Sequence, residues 1–433
     1  MTSPTQPTQP TLEDLDRRVM WHPFTQMAEW DPLVIERGEG NYLVDTQGRR
    51  YLDGVSSLWC NVHGHNHPRL NRALREQLDR VAHSTFLGLS HEPGIRLGEA
   101  LVEVAPTGLT RVFYSDSGST AVEIALKQSF QYWQLKGRAT KQRFLRLGDA
   151  YHGDTLGAVG VGGIELFHRI FGPLLVRSIE IPSPAGTNGA RSIEVLEVEL
   201  RDHANEIAAF VLEPMIQGAA GMLVHPPGFL TKVSTLCREH DVHLIVDEVA
   251  TGFGRTSTLF ACEHEAVSPD FLCLAKGISG GYLPLAATLS REEIYREFLG
   301  KRGDLKQFFH GHTFTANPLA CAVGLESLAL LREETLPRAQ RLLPSIEGAL
   351  GRMRSVAGVR EVRSVGFMIG IELESKPDRF LGTEVCERAR SHGVMLRPLG
   401  DVVVWMPPLS LSSNDLDLLE AATTSAIREV LDT

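Results

Sequence analysis

With 433 residues, 43% of them hydrophobic and 22% charged, the chain can fill one large core and a smaller companion. Its formal net charge of -10 excludes a general nucleic-acid binder, which needs clustered Lys and Arg to neutralise phosphates. The six cysteines stand far apart without a CxxC pair, a pattern of reduced, packed thiols rather than of a zinc or redox centre.

The first ten residues, MTSPTQPTQP, are polar and rich in Pro and Thr, and read as a disordered tail without the apolar core of a signal peptide. No later apolar run reaches membrane-spanning length, so the expected location is the cytoplasm, with no membrane contact. Residues 11–55 hold a short helix and the alternating stretch Asn41-Tyr-Leu-Val-Asp45, the first part of a small lobe. Between 56 and 332, short apolar runs at 111–114, 210–212, 243–246 and 271–275 alternate with helical patterns, which predicts an α/β domain with a mostly parallel sheet. From 333 to 433 the pattern changes to an amphipathic helix, an extended stretch at 359–373, a helix near Glu384 and a strand at 402–406. This reads as an α+β C-terminal lobe.

Ligands of open α/β sheets sit beyond the carboxyl ends of the strands, so the residues that close each run belong together. Arg111-Val-Phe-Tyr114 leads into Ser115-Asp-Ser-Gly-Ser-Thr120 and a helical pattern, which fits a phosphate on a helix N-terminus and equally a Ser/Thr N-cap with no ligand. His243-Leu-Ile-Val246 closes with Asp247. An acid there needs a cationic partner, either a protonated pyridine nitrogen or, as a structural pair, Arg255. Phe271-Leu-Cys-Leu-Ala275 closes with Lys276 and Gly277-Ile-Ser-Gly-Gly281. The chain has eight lysines against 35 arginines, and Lys276 alone ends an apolar run and enters a glycine-rich turn. A desolvated lysine offers its free amine to a carbonyl carbon; one that merely snorkels to water is the plainer alternative.

Phe210-Val-Leu212 closes with Glu213 and Gln217, which should face the same crevice, and Tyr151-His-Gly-Asp-Thr155 offers a ring for stacking on a planar ligand. The glycines of 157–163 lack GxGxxG spacing. His63, His65 and His67 have no helix-spaced pair or nearby acid, so they read as turn histidines and no metal site is expected.

With Asp247, Asp270, Lys276 and the glycines after it in register, nearly the whole chain resembles a class III aminotransferase of the fold-type I pyridoxal-phosphate enzymes. The segments Trp21-His-Pro-Phe-Thr25, Asp53-Gly-Val-Ser-Ser57, Gln131-Tyr-Trp-Gln134, Leu259-Phe-Ala-Cys-Glu-His264, Asn317-Pro-Leu-Ala-Cys321 and the pair Arg397-Pro398 resemble the branch that aminates 8-amino-7-oxononanoate in biotin biosynthesis with S-adenosylmethionine as donor. The resemblance implies pyridoxal 5'-phosphate as cofactor, with Lys276 as its Schiff-base lysine and Asp247 as partner of the pyridine nitrogen. It further implies Gly118 and Ser119 on the phosphate, Tyr151 stacked on the ring, and His312 and Thr313 reaching the phosphate of a neighbouring subunit in a homodimer. Phe24, Leu58, Trp59 and Gly311 would line the substrate site, and Arg397 would pair with the substrate carboxylate.

Four positions depart from the pattern of S-adenosylmethionine-using members: Phe24 and Val404 stand where tyrosines are usual, Leu58 where tryptophan is usual, and His312 where proline is usual. A wall formed by Phe24, Leu58 and Val404 suits the methylene stem of lysine, a donor in another branch, while an adenine ring could stack on Trp59 or Trp405.

Overall fold

The computed structural model describes residues 9–176 and 178–432. Of the expected disordered tail, residues 1–8 lie outside the described residues.

The large sheet has seven strands: β1 (Leu109–Ser115), β2 (Arg143–Leu147), β3 (Ile179–Ile181), β4 (Ile207–Leu212), β5 (His243–Asp247), β6 (Phe271–Leu274) and β7 (Ala286–Arg291). Their order is β1-β7-β6-β5-β4-β2-β3. Only β7 runs antiparallel to its neighbours, while β6-β5-β4-β2-β3 form a parallel block. All residues of β4 and β5 are buried, the reason they read as continuous apolar runs. The sequence reading passed over β2, β3 and β7. β2 carries two arginines, β3 has three residues, and β7 is Ala-Ala-Thr-Leu-Ser-Arg, so none shows such a run.

Helix α1 (Gly118–Leu135) follows β1 and lays Ala121, Val122, Ile124, Ala125, Leu126, Ser129 and Trp133 inward. It packs on β6 and β7 and points its N-terminus at the crevice where β5 and β6 end.

Both ends of the chain contribute to further sheets. Ile35–Glu39, Tyr42–Asp45 and Arg50–Asp53 form one sheet, which Val394–Met395 joins in parallel. A second, antiparallel sheet contains Val359–Val365, Met368–Leu373, Val402–Trp405 and Arg397–Leu399. The link from the large sheet is helical: Pro318–Leu330 passes through a π turn at Leu331–Thr335 into Leu336–Met353. The change of sequence pattern near 333 therefore lies inside a continuous helical stretch. It marks a change in what the helix packs against, not a break in the chain.

All six cysteines are free. Among the described residues, no group of three or more His, Cys, Asp or Glu side chains could hold a metal, and no helix is long and apolar enough to cross a membrane.

Candidate active site

The ends of β1, β4, β5 and β6 meet at a cavity of about 400 Å³ whose lining includes Trp59, Gly118, Ser119, Tyr151, Glu213, Asp247 and Lys276. Four chain segments read separately in the sequence converge there.

Lys276 leaves β6 with a φ of 47°, opens a 3-10 turn (Lys276–Ser279), and is followed by Gly280 and Gly281 at φ 62° and 83°. A left-handed backbone is unusual for a residue with a side chain, and here it turns the ammonium back over the strand ends. Nζ lies 4.8 Å from the centroid of the Trp59 ring. Burial pulls the Lys276 ammonium below its ordinary pKa, and the charges of Asp247 and Glu213 oppose that pull. Lys276 is half-buried, and a second lysine, which ends no apolar run, lies deeper. Lys141 is 1% exposed and donates to the carbonyls of Ala204, Ile207 and Asp241 at 2.8, 2.9 and 2.7 Å. Burial brings it to about 8. It precedes β2, at the amino ends of the parallel strands, and its three acceptors hold the charged form as a structural peg.

Asp247, at the end of β5, is buried. One of its oxygens accepts the Val249 N–H at 2.9 Å and the other lies 2.7 Å from His152 Nδ1. His152 Nε2 is buried and has no hydrogen-bond partner among the described residues. The Asp247–Arg255 pair left open by the sequence does not form: Arg255 donates to the carbonyl oxygens of Met406 and Pro407 instead. Glu213 sits at 4% exposure, accepting from the N–H groups of Gly218 and Tyr151 at 2.9 and 3.3 Å. Burial raises its carboxyl to about 7.

At the mouth of α1, Ser117 caps the helix by accepting from Thr120 N–H, and the N–H groups of the first turn have no partner within the helix. Glycines let the chain approach closely. A Cβ on Gly153 would sit 1.9 Å from Ser119 Oγ, and one on Gly118 would sit 2.5 Å from Val249 Cγ1. Tyr151 donates to Asp154 at 2.7 Å, and burial raises its phenol above the usual range. These residues fit a phosphorylated pyridine aldehyde: unpaired helix N–H groups for phosphate, an acid at the ring nitrogen, an orphaned imidazole nitrogen beside it, and a desolvated amine at the carbonyl end.

The substrate candidates are placed unequally. Trp59, 5% exposed, lines the cavity, on a turn in which Ser56, Ser57 and Trp59 have φ of 50°, 59° and 67°. Such left-handed residues cost on the order of 1–3 kcal/mol each and persist only where surroundings enforce them. Leu58 and Phe24 are 48% and 60% exposed; Phe24 touches Phe167 edge-on at 5.5 Å. Val404 is fully buried in the apolar cluster with Trp59, and so does not form the open wall anticipated for it. Trp405 is also fully buried and donates to Thr423 at 3.0 Å, which removes it as a stacking surface. Arg397 is part-buried and, among the described residues, forms no ion pair or side-chain hydrogen bond. Gly311, His312 and Thr313 lie on a surface loop outside the cavity lining.

Three site features escaped the sequence reading. His152 was visible only as part of the Tyr151 loop, and its partnership with Asp247 depends on the fold. Asp53 and His65 form a pair at 2.8 Å beside the Trp59 turn, whereas the sequence alone presents the histidine as a turn residue.

The family model "Aminotransferase class-III" matches residues 25–427. The chain is similar to the adenosylmethionine-8-amino-7-oxononanoate aminotransferase of Nitratidesulfovibrio vulgaris, at 50% identity over 96% of this chain and 81% of that one. It is similar to the protein of the same name from Geobacter sulfurreducens, at 46% identity over 97% and 98% of the two chains. Among solved structures, the enzyme of that name from Methanocaldococcus jannaschii superposes with a TM-score of 0.93 at 42% identity, covering 96% of this chain and 98% of that one. An amine transaminase from an uncultivated Pseudomonas species, solved in its PLP-bound form, gives 0.90 at 35% identity over 95% and 98%. The family model spans nearly the whole chain, and relatives at 46–50% identity cover it almost end to end; the chain belongs to the class III aminotransferases.

Proposed function

We propose that the chain uses pyridoxal 5'-phosphate to transfer an amino group to 8-amino-7-oxononanoate, giving 7,8-diaminononanoate for biotin synthesis, with S-adenosylmethionine as donor. The observation that carries the substrate assignment is Arg397, a part-buried guanidinium that pairs with no carboxylate among the described residues. Burial lowers its pKa, a bias that a carboxylate partner would offset. The names of the relatives support the same acceptor and donor.

When bound, the cofactor supplies the electron sink that lets an amino group leave one carbon and join another. Gly118 and Ser119, at the α1 N-terminus, would hold its phosphate, and Tyr151 would stack on its ring. Asp247, braced by His152, holds a proton on the ring nitrogen. Lys276 Nζ would anchor the cofactor, and its free amine would hold and move the proton at the reacting carbon. Arg397 grips the far end of the acceptor, which fixes its ketone by distance. His312 and Thr313 serve the phosphate of a second copy, in a cytoplasmic homodimer with shared sites. Residues 56–332 act as the cofactor domain, and 11–55 with 333–433 as its companion.

Lysine is the alternative donor. The fully buried Trp405 leaves Trp59 as the sole stacking surface of the two considered for adenine, and Phe24 and Leu58 present apolar surface. The cofactor-loaded enzyme, mixed separately with S-adenosylmethionine and with lysine, should turn to its amino-cofactor spectrum with the first. Conversion by lysine alone would replace the donor while leaving the acceptor assignment intact. Failure to aminate 8-amino-7-oxononanoate from either donor would overturn the assignment and favour an amine or omega transaminase.

A further inference from the structure

The turn that carries Trp59 has no glycine, yet three of its four residues adopt a left-handed φ. Something must hold it, and the structure assigns that task to Asp53 and His65. We propose that these two act as a positioning pair for the cofactor lysine, fixing the Ser56–Trp59 turn and through it the indole beneath Lys276. Asp53 is fully buried. One oxygen accepts the Ser57 N–H at 2.7 Å and His65 Nε2 at 2.8 Å, and the other accepts the Val55 N–H at 3.3 Å. The far side of the turn is tied down by Ser56 Oγ, which donates to the Met406 carbonyl at 2.8 Å.

His65 is itself fixed. Its N–H donates to the Gly40 carbonyl at 2.6 Å, and Gly38 leaves it room, since a Cβ there would lie 2.5 Å from His65 Cβ. The ring therefore presents Nε2 to Asp53 from a rigid base. Trp59 cannot swing to a new partner, because it is packed among Val55, Ile216, Met222, Met368 and Val404. The result is an aromatic face 4.8 Å from Lys276 Nζ, which favours the ammonium over the amine. The other charged or titratable groups acting on that nitrogen are Asp247, Glu213, Cys60 and Arg255, none of which is a hydrogen-bond partner of His65.

The proposal rests on Lys276 carrying the cofactor, and the test separates the two. The full-length, cofactor-loaded protein is titrated with pH while the visible absorbance of the lysine–cofactor linkage is followed, for wild type, His65→Ala, His65→Asn and His65→Gln. Glutamine can reach Asp53 with an N–H donor, whereas asparagine is too short. We expect the midpoint to move by about half a unit or more in His65→Ala and His65→Asn, roughly a threefold change in the protonation equilibrium, and to return in His65→Gln. If His65→Ala does not fold, the asparagine and glutamine variants carry the comparison. Unchanged midpoints in folded variants, or a shift of the same size in His65→Gln, would overturn the positioning role. Absence of any lysine–cofactor linkage in the wild-type protein would overturn the proposed function instead.

Discussion

Lys276 and Arg397 each make a sharp demand on a single experiment. Lys276→Ala should abolish turnover and the mass addition that borohydride fixes on the cofactor-loaded protein. The buried alternative, Lys141, stands at the opposite end of the parallel strands with its three protons engaged by carbonyls, so labelling should not move to it. Peptide mapping that finds the label on another lysine would refute the assignment. Arg397→Lys should raise the KM for 8-amino-7-oxononanoate far more than that for the donor, because one ammonium cannot reproduce a two-point grip. Loss of a contact of this kind costs roughly 2–5 kcal/mol, about 30-fold or more in affinity. Equal effects on both substrates would indicate general damage to the fold. At this scale Lys276 and Asp247 were legible because each interrupts an apolar run with a charge, which a buried strand end tolerates only with a partner. His152, Asp53 and His65 were not legible, since their partners lie 95 and 12 residues away and only the folded turns bring them together.

The elements around the cavity bind their charges to pH. Glu213 closes β4 and is buried where its carboxyl rises to about 7, mainly through desolvation. For an acid whose folded pKa exceeds its unfolded value, the contribution to stability is fully present below the unfolded pKa, near 4.5, and is lost as pH rises through 7. The melting temperature of cofactor-free wild type, measured against Glu213→Gln, should therefore show its largest advantage near pH 5 and a shrinking one by pH 8. A difference that is flat across that range would mean Glu213 is ionised throughout. The central strands β4, β5 and β6 were readable because burial on both faces leaves a continuous apolar run. β7 was not, since a strand of small and hydroxylated residues between β1 and β6 is fixed by its neighbours rather than by its own composition. Val404 was read from the residue type usual at that position in the resembled branch, which does not tell how deeply this chain packs it; it lies fully buried in the cluster with Trp59.

The proposed sharing of a site between two copies of the chain is tested at the scale of the whole molecule. Thr313 is exposed on its own chain and lies outside the lining of that chain's cavity, so its alanine variant should fold normally and weaken only the phosphate site of a second copy. Lys276→Ala and Thr313→Ala homodimers should each be inactive at limiting cofactor. After subunit exchange, roughly half of the dimers are mixed. In each mixed dimer one site combines both substitutions, while the other draws an intact Lys276 from one chain and an intact Thr313 from its partner. Recovered activity should approach about a quarter of wild type, since one site in two works in half of the dimers. If Thr313 instead served the cavity of its own chain, both sites of every mixed dimer would carry one defect and no activity would return. Exchange can be followed independently by native mass spectrometry of differently tagged chains, so background activity with exchange demonstrated would assign Thr313 away from the partner's phosphate.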